Sequence, residues 1–202
     1  MPIVKEREYR ALAAPLSVAD AAKRIATDYY VEGYATTFNS PYLLFEFEDG
    51  WKYYEVIEAH AVDGADLSDV IFQYNHSGRV FARQSNKSLI VQPDNTGLFM
   101  CADLGRTDGA KQLYQDIAEG MVTKMSWAFT VKRDSITEDR EKRIITRNIQ
   151  EIKKVFDVSA VDRPANEDTE INARNFATRS YEQMKAERLQ RQAQLLKIRT
   201  ML

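Results

Sequence analysis

The chain has 202 residues, with 28 Lys plus Arg against 30 Asp plus Glu, 2 His and 1 Cys. At 44% hydrophobic and 10% aromatic residues it can bury a core, which excludes wholesale disorder, and its length suits one domain with room for a tail. A single cysteine excludes an internal disulfide framework and a multi-cysteine zinc site, and a net charge of −2 gives no global pull toward nucleic acid or an acidic membrane. Any chemistry that needs histidine must use His60 or His76.

Met1 to Val4 leads at once into the charged run Lys5 to Glu8, without the apolar core of a secretory signal. No stretch reaches the roughly 18 consecutive apolar residues of a spanning helix, so a soluble, intracellular protein with no membrane partner is expected. In such a compartment Cys101 reads as a reduced, buried small hydrophobe. Tyr30 to Phe38 is rich in β-branched and aromatic residues and ends at the turn Asn39-Ser40-Pro41, which predicts a strand. Residues 42–69 are dense in acids (Glu46, Glu48, Asp49, Glu55, Glu58, Asp63, Asp66, Asp69), and the aromatics between them alternate as in a hairpin turning at Asp49-Gly50. These acids lack the spacing of a calcium loop and read as a solvated hairpin face.

Ser88 to Val91 and Leu98 to Leu104 flank Pro93 to Gly97, the pattern of a hairpin with a longer loop. Asp108 to Gly120 places Ala110, Leu113, Tyr114 and Ile117 on one helical face, with Gly120 as its C-cap. Met121 to Val131 is mostly apolar, and Arg143 to Thr146 is its expected antiparallel partner across a polar Lys132–Lys142 turn. Lys154 to Val161 reads as a further strand, ended by Arg163-Pro164. From about Thr178 to Leu202 strong helix formers predict a terminal helix with six basic and two acidic residues, a +4 tail on a −6 body. Its apolar stripe, Leu195, Ile198 and Leu202, is short, so an appendage or partner-binding helix is expected rather than a core element. Many strands and few helices give an α+β, mainly β class, with 1–174 as the domain and 175–202 as the tail.

Three residues stand out chemically. His76 follows the apolar run Val70 to Phe72 and precedes a turn, where a side chain can project into a cleft. Ser126 lies between Met125 and Trp127 in an apolar stretch, where a hydroxyl must find a partner. Asp157 lies between Phe156 and Val158 inside a strand and needs a His or Arg beside it, or must be held neutral. Together they supply a nucleophile, a base and an acid, although spacing does not show that they meet. Each also reads as an ordinary hydrogen-bonded residue, and His60, among acids, more so. There is no phosphate loop, GxGxxG, HExxH or CxxC, and two distant histidines make no metal site, so no cofactor or metal is expected.

The blocks Val31 to Ala35 with Phe38-Asn39, Glu55 to Ile57, Asn75-His76, Asp94 to Phe99 and Ala102 to Leu104 occur in that order. They continue through Leu113-Tyr114, Gly120, Lys124 to Phe129, Phe156 to Val161 and Arg163 to Asn166. This ordered set, spanning roughly residues 30–174, resembles the prohead protease family of tailed bacteriophages. The resemblance implies a herpesvirus-maturation-protease-like serine peptidase, a closed β-barrel surrounded by helices. It implies Ser126 as nucleophile, His76 as general base, Asp157 as the residue orienting the base, and Arg163 as an oxyanion candidate. It also implies an endopeptidase inside the immature capsid in the host cytoplasm, cutting the scaffold segment of the capsid protein or a separate scaffold, and commonly itself. A homodimer or higher oligomer is compatible with it, and the basic tail would dock to an acidic scaffold.

The chain departs from the family pattern at several points. Lys124 stands where a glycine is usual and Trp127 where Phe is usual. A Pro-Gly-Ala-Phe element is missing near Glu58 to Ala61, and Asp157 replaces the more frequent Glu. Glu151 or another acid is therefore an alternative third member, and His60 a backup base. A catalytically inactive capsid-assembly or scaffold protein on the same fold is the main rival, and an unrelated β-rich binding module a third reading.

Overall fold

The computed structural model describes residues 7–18, 23–162, 178 and 181–195. Its strands are β1 (Glu8–Pro15), β2 (Tyr30–Thr37), β3 (Tyr42–Glu46), β4 (Lys52–Ile57), β5 (Ile71–Tyr74) and β6 (Ser77–Arg83). After them come β7 (Leu89–Pro93), β8 (Gly97–Asp103), the helix α1 (Asp108–Ala118), β9 (Lys124–Asp139) and β10 (Ile144–Val161). A second helical stretch covers 181–195. No helix among the described residues is long and apolar enough to cross a membrane.

Two sheets form. The three-stranded one has the order β2-β8-β7, all antiparallel. The seven-stranded one runs β1-β9-β10-β4-β3, with β5 on β10 and β6 on β5. The 18-residue β10 is its axis. One flank pairs antiparallel with β9 along nearly its whole length. The other flank pairs parallel with β4 from Ile144 to Ile149, then parallel with β5 from Asp157 to Ala160.

The hairpins at Asp49-Gly50 and at 93–97 are present, and Gly50 takes φ +80, the left-handed value a tight turn needs. Helix α1 is capped by Thr107, whose side chain accepts from the Ala110 amide at 3.2 Å, and it buries Ala110, Leu113 and Ile117. Gly120 follows it at φ +73.

Closure is where the expectation fails. Among the described residues 50% are strand and 17% helix, in two helices, and the sheets do not close into a barrel surrounded by helices. Among the described residues no ladder joins the β1 end of the large sheet to β3 or β6. Among the described residues one isolated bridge joins the two sheets, Ser17 with Glu32, whose paired backbone bonds are both 3.0 Å, and just past β2 the Asn39 amide donates to the Ile57 carbonyl of β4 at 2.8 Å. A single bridge does not make a strand pair, so the sheets instead face each other. Their shared core takes Val31, Leu98 and Met100 from one side, Trp127, Ile149 and Val158 from the other, and Leu113 of α1.

The Lys132–Lys142 stretch also differs from expectation. It is strand to Asp139, and the turn is confined to residues 140–143, with the Lys142 amide on Asp139 Oδ1 at 3.0 Å and Arg143 at φ +54. The stretch is mostly polar because this end of β9 faces solvent while β10 buries Ile145, Arg147 and Ile149 opposite it. Lys154 to Val161 is accordingly the far half of β10 and not a separate strand.

The strand β1 is fastened by buried charge. Glu55, at 0% exposure, accepts from Arg10 Nε at 2.7 Å and Nη2 at 2.8 Å, from Arg147 Nη1 at 3.1 Å, and from the Tyr42 hydroxyl. Glu8 accepts from both arginines at 2.6 Å, and Asp134 accepts from Arg147 Nε at 2.5 Å. Burial works against the Arg10 charge, but the carboxylate of Glu55, then Tyr42 and Glu8, outweigh it and hold its proton far more tightly than usual. Burial and the Glu55 charge likewise push the Tyr42 phenol well up, so it stays a neutral donor.

The helix over 181–195 rests on the β3–β4 hairpin through Tyr181, which packs with Phe47 and Trp51 and donates to Asp49 Oδ2 at 2.5 Å. Burial, then that bond, push the Tyr181 hydroxyl up to about 12. Leu195 is 60% exposed, while Ile198, Leu202 and the expected boundary at 174 lie outside the described residues.

Candidate active site

Three adjacent strands carry the site. Asp157 lies on β10 opposite Ala128 of β9 and Ile71 of β5, and Ser126 lies on β9 opposite Ser159 of β10. Because side chains alternate along a strand, Ser126, Asp157 and Ser159 share one face of the sheet. Trp127 and Phe129 take the other face, stacked at 4.1 Å in the core. The tryptophan that departs from the family pattern is thus pointed away from Ser126.

The third side chain comes from a two-residue turn. β5 and β6 are joined by Asn75 and His76, both left-handed, at φ 49 and 54. Hairpins of this type favour Asn-Gly, and a histidine in the glycine position carries a conformational cost. The Asn75 amide ties the turn to Ala160 of β10 at 3.0 Å, so the imidazole folds back over the sheet. A left-handed histidine held in this way marks a residue whose placement matters more than its local comfort.

His76 joins the other two. Its Nδ1 is 2.5 Å from Asp157 Oδ1 and its Nε2 is 2.5 Å from Ser126 Oγ. The carboxylate on Nδ1 selects the tautomer with the proton there, which leaves the Nε2 lone pair toward the serine. Ser126 Oγ is also 3.0 Å from the Arg10 carbonyl of β1. A hydroxyl has one proton, so it donates either to His76 or to Arg10. In the first state the serine is set to lose its proton to the base, and in the second an imidazolium Nε2–H donates to it.

The group is closed over. Ser126 is 1% exposed, Asp157 2% and the His76 side chain 8%. On this side Tyr9 sets its ring edge-on to His76 at 4.8 Å between centroids, and β1 pairs Ala11 with Ser126.

The other sequence candidates lie elsewhere. His60 is 88% exposed and bonds Asp63 at 2.9 Å. Glu151 pairs with Lys132 at 2.8 Å and Arg133 at 2.9 Å, which with burial outweighed hold its carboxyl below the usual range. Arg163 lies outside the described residues. Among the described residues no three His, Cys, Asp or Glu side chains gather where they could hold a metal. A cleft of about 430 Å³ lined by Arg140, Arg188, Arg191, Gln192 and Leu195 includes none of the three.

Sequence reasoning missed Ser159, whose hydroxyl donates to Asp157 Oδ1 at 2.9 Å. Its position two residues beyond Asp157 in a strand would have found it, since period two places both on one face. Tyr9 carried no such signal, because its approach depends on the pairing of β1 with β9.

Residues 18–187 match the family model described as caudovirus prohead serine protease. No curated protein and no solved structure matches the chain.

Proposed function

Because the chain belongs to the caudovirus prohead serine protease family, we propose that it is a capsid-maturation endopeptidase working through Ser126, His76 and Asp157. The observation that carries this reading is the imidazole of His76, bonded at 2.5 Å to a carboxylate through one nitrogen and to a serine hydroxyl through the other. That arrangement serves acyl transfer. His76 Nε2 takes the Ser126 proton as Oγ attacks the peptide carbonyl, and returns it to the leaving amine. Asp157 holds the tautomer and offsets the charge of the imidazolium. A water then repeats the sequence on the acyl-enzyme, freeing the acid and restoring the serine.

The substrate is the scaffold segment of the capsid protein, or a separate scaffold protein, and the chain itself, cut inside the prohead in the host cell. Oxyanion stabilisation falls to Arg163 or to backbone amides near the serine.

The test is co-expression with the capsid protein, read by intact mass. Truncated capsid subunit is expected with the wild type and none with Ser126→Ala or His76→Ala, while His60→Ala cleaves normally. Cleavage that survives Ser126→Ala overturns the assignment. One observation favours the second reading, an inactive assembly protein on this fold: the 1% exposure of Ser126. Under that reading the wild type also leaves the capsid subunit intact.

A further inference from the structure

We propose that Ser159 is a positioning residue of this site, holding the Asp157 carboxylate in the orientation that the His76 imidazole needs; this rests on the triad reading above. Asp157 Oδ1 receives two donors, His76 Nδ1 at 2.5 Å and Ser159 Oγ at 2.9 Å. Both serve the same oxygen, so the plane of the carboxylate and the oxygen it offers to the imidazole are fixed together. The Ser159 side chain is 0% exposed and Asp157 2%, so no bulk water competes for that bond. A buried hydroxyl must place its proton somewhere, and the bond that the described residues give Ser159 goes to Asp157.

The backbone makes the arrangement rigid. Asp157 and Ser159 both lie in the part of β10 flanked by β9 and β5. There Asp157 faces Ala128 and Ile71, and Ser159 faces Ser126 and Gln73. The acid, its donor and the nucleophile therefore sit on three consecutive same-face positions of two paired strands. An aspartate in a strand rotates about two bonds, and packing alone does not choose between its oxygens. A neutral donor on the same strand does, without adding a charge that would compete with the imidazolium.

Removing that donor lets the carboxylate turn. The bond to His76 Nδ1 then weakens or changes oxygen, and the tautomer set for proton transfer is less populated. The loss should fall on the chemical step and leave substrate binding alone, because Ser159 is fully buried. Ser159→Ala should lower kcat about tenfold with KM within about twofold, the size expected when a hydrogen bond to a charged group is lost. Ser159→Thr, which keeps the hydroxyl, should restore most of the rate. The change to alanine removes one oxygen, and the fold is kept.

A second readout does not use turnover. The proton of His76 Nδ1, held at short range by a carboxylate, should give a far-downfield proton NMR signal that is absent in His76→Ala. The signal should shift or broaden in Ser159→Ala and stay in place in Ser159→Thr. If Ser126→Ala abolishes cleavage while Ser159→Ala matches the wild type in kcat and in this signal, the role of Ser159 is wrong and the triad stands. If Ser126→Ala still cleaves, the triad reading fails, and an unmoved signal in Ser159→Ala would also reject the positioning role.

Discussion

Replacing Glu55 by alanine should be the most costly single change to the charged cluster under the site. The side chain is fully buried and accepts from Arg10, Arg147 and Tyr42 at once. Removing one partner of a buried pair costs about 3–5 kcal/mol, because the remaining charge stays in a poor solvent. Here the lower end applies. Arg10 keeps Glu8 at 2.6 Å, and Arg147 keeps Glu8 and Asp134, so neither guanidinium is stranded. Arg10 Nε nevertheless loses its acceptor, and so does the Tyr42 hydroxyl. About 3 kcal/mol in a domain of this size corresponds to a fall in Tm of roughly 6–12 °C. Glu151→Ala is the control. That carboxylate also binds two cations, but it is 37% exposed beside partners at 67% and 59%, where solvent screens such pairs and they add little to stability. Thermal melts followed by near-ultraviolet circular dichroism, with guanidinium midpoints as a second measure, give both numbers. A fall for Glu55→Ala no larger than that for Glu151→Ala would refute the claim that burial sets the strength of the cluster.

Acid should weaken the fold through Glu8. Burial raises its pKa, but the charge of Arg10 and the bonds from Arg147 more than reverse this and hold it below the ordinary 4.5. Its contribution is therefore complete above about pH 4.5 and lost as pH falls through the lowered folded value, so Glu8→Gln should show a flatter decline in denaturant midpoint across that window than the wild type does. Access to Ser126 should depend on Tyr9. With Ser126 at 1% exposure and the Tyr9 ring against His76, Tyr9→Ala should raise the rate of fluorophosphonate labelling of Ser126 several-fold, measured by intact mass, and an unchanged rate would show that another element closes the site.

Much of the local structure was legible because local chemistry dictates it. Gly50, the Pro93 to Gly97 loop and the 3.6-residue spacing of Ala110, Leu113 and Ile117 each specify an element without reference to the rest of the chain. Ser126 and Asp157 were visible as polar residues in apolar strands, and these are the side chains that the fold brings to His76. What could not be read was pairing at a distance. Nothing in Lys52 to Ile57 or Ile71 to Tyr74 says that each will lie parallel to a strand about 90 residues later, since parallel partners share no turn. The closed barrel came from resemblance, and strand number alone does not determine closure. The polar residues 132–139 misled for a related reason: an antiparallel ribbon with one face in water has the composition of a turn.

The central strand of the large sheet is also the last strand in sequence among the described residues. Every earlier strand of that sheet except β1, β3 and β6 needs β10 as a neighbour, and those three attach through strands that do. During synthesis, β4 and β5 therefore emerge with one flank open, and His76 waits 81 residues for Asp157. Assembly from one end to the other is closed to such a topology, and contacts of this span form slowly. Under the proposed assignment the imidazole of His76 lacks its carboxylate until β10 has been made, so the order of the strands keeps the nascent protein from its own chemistry.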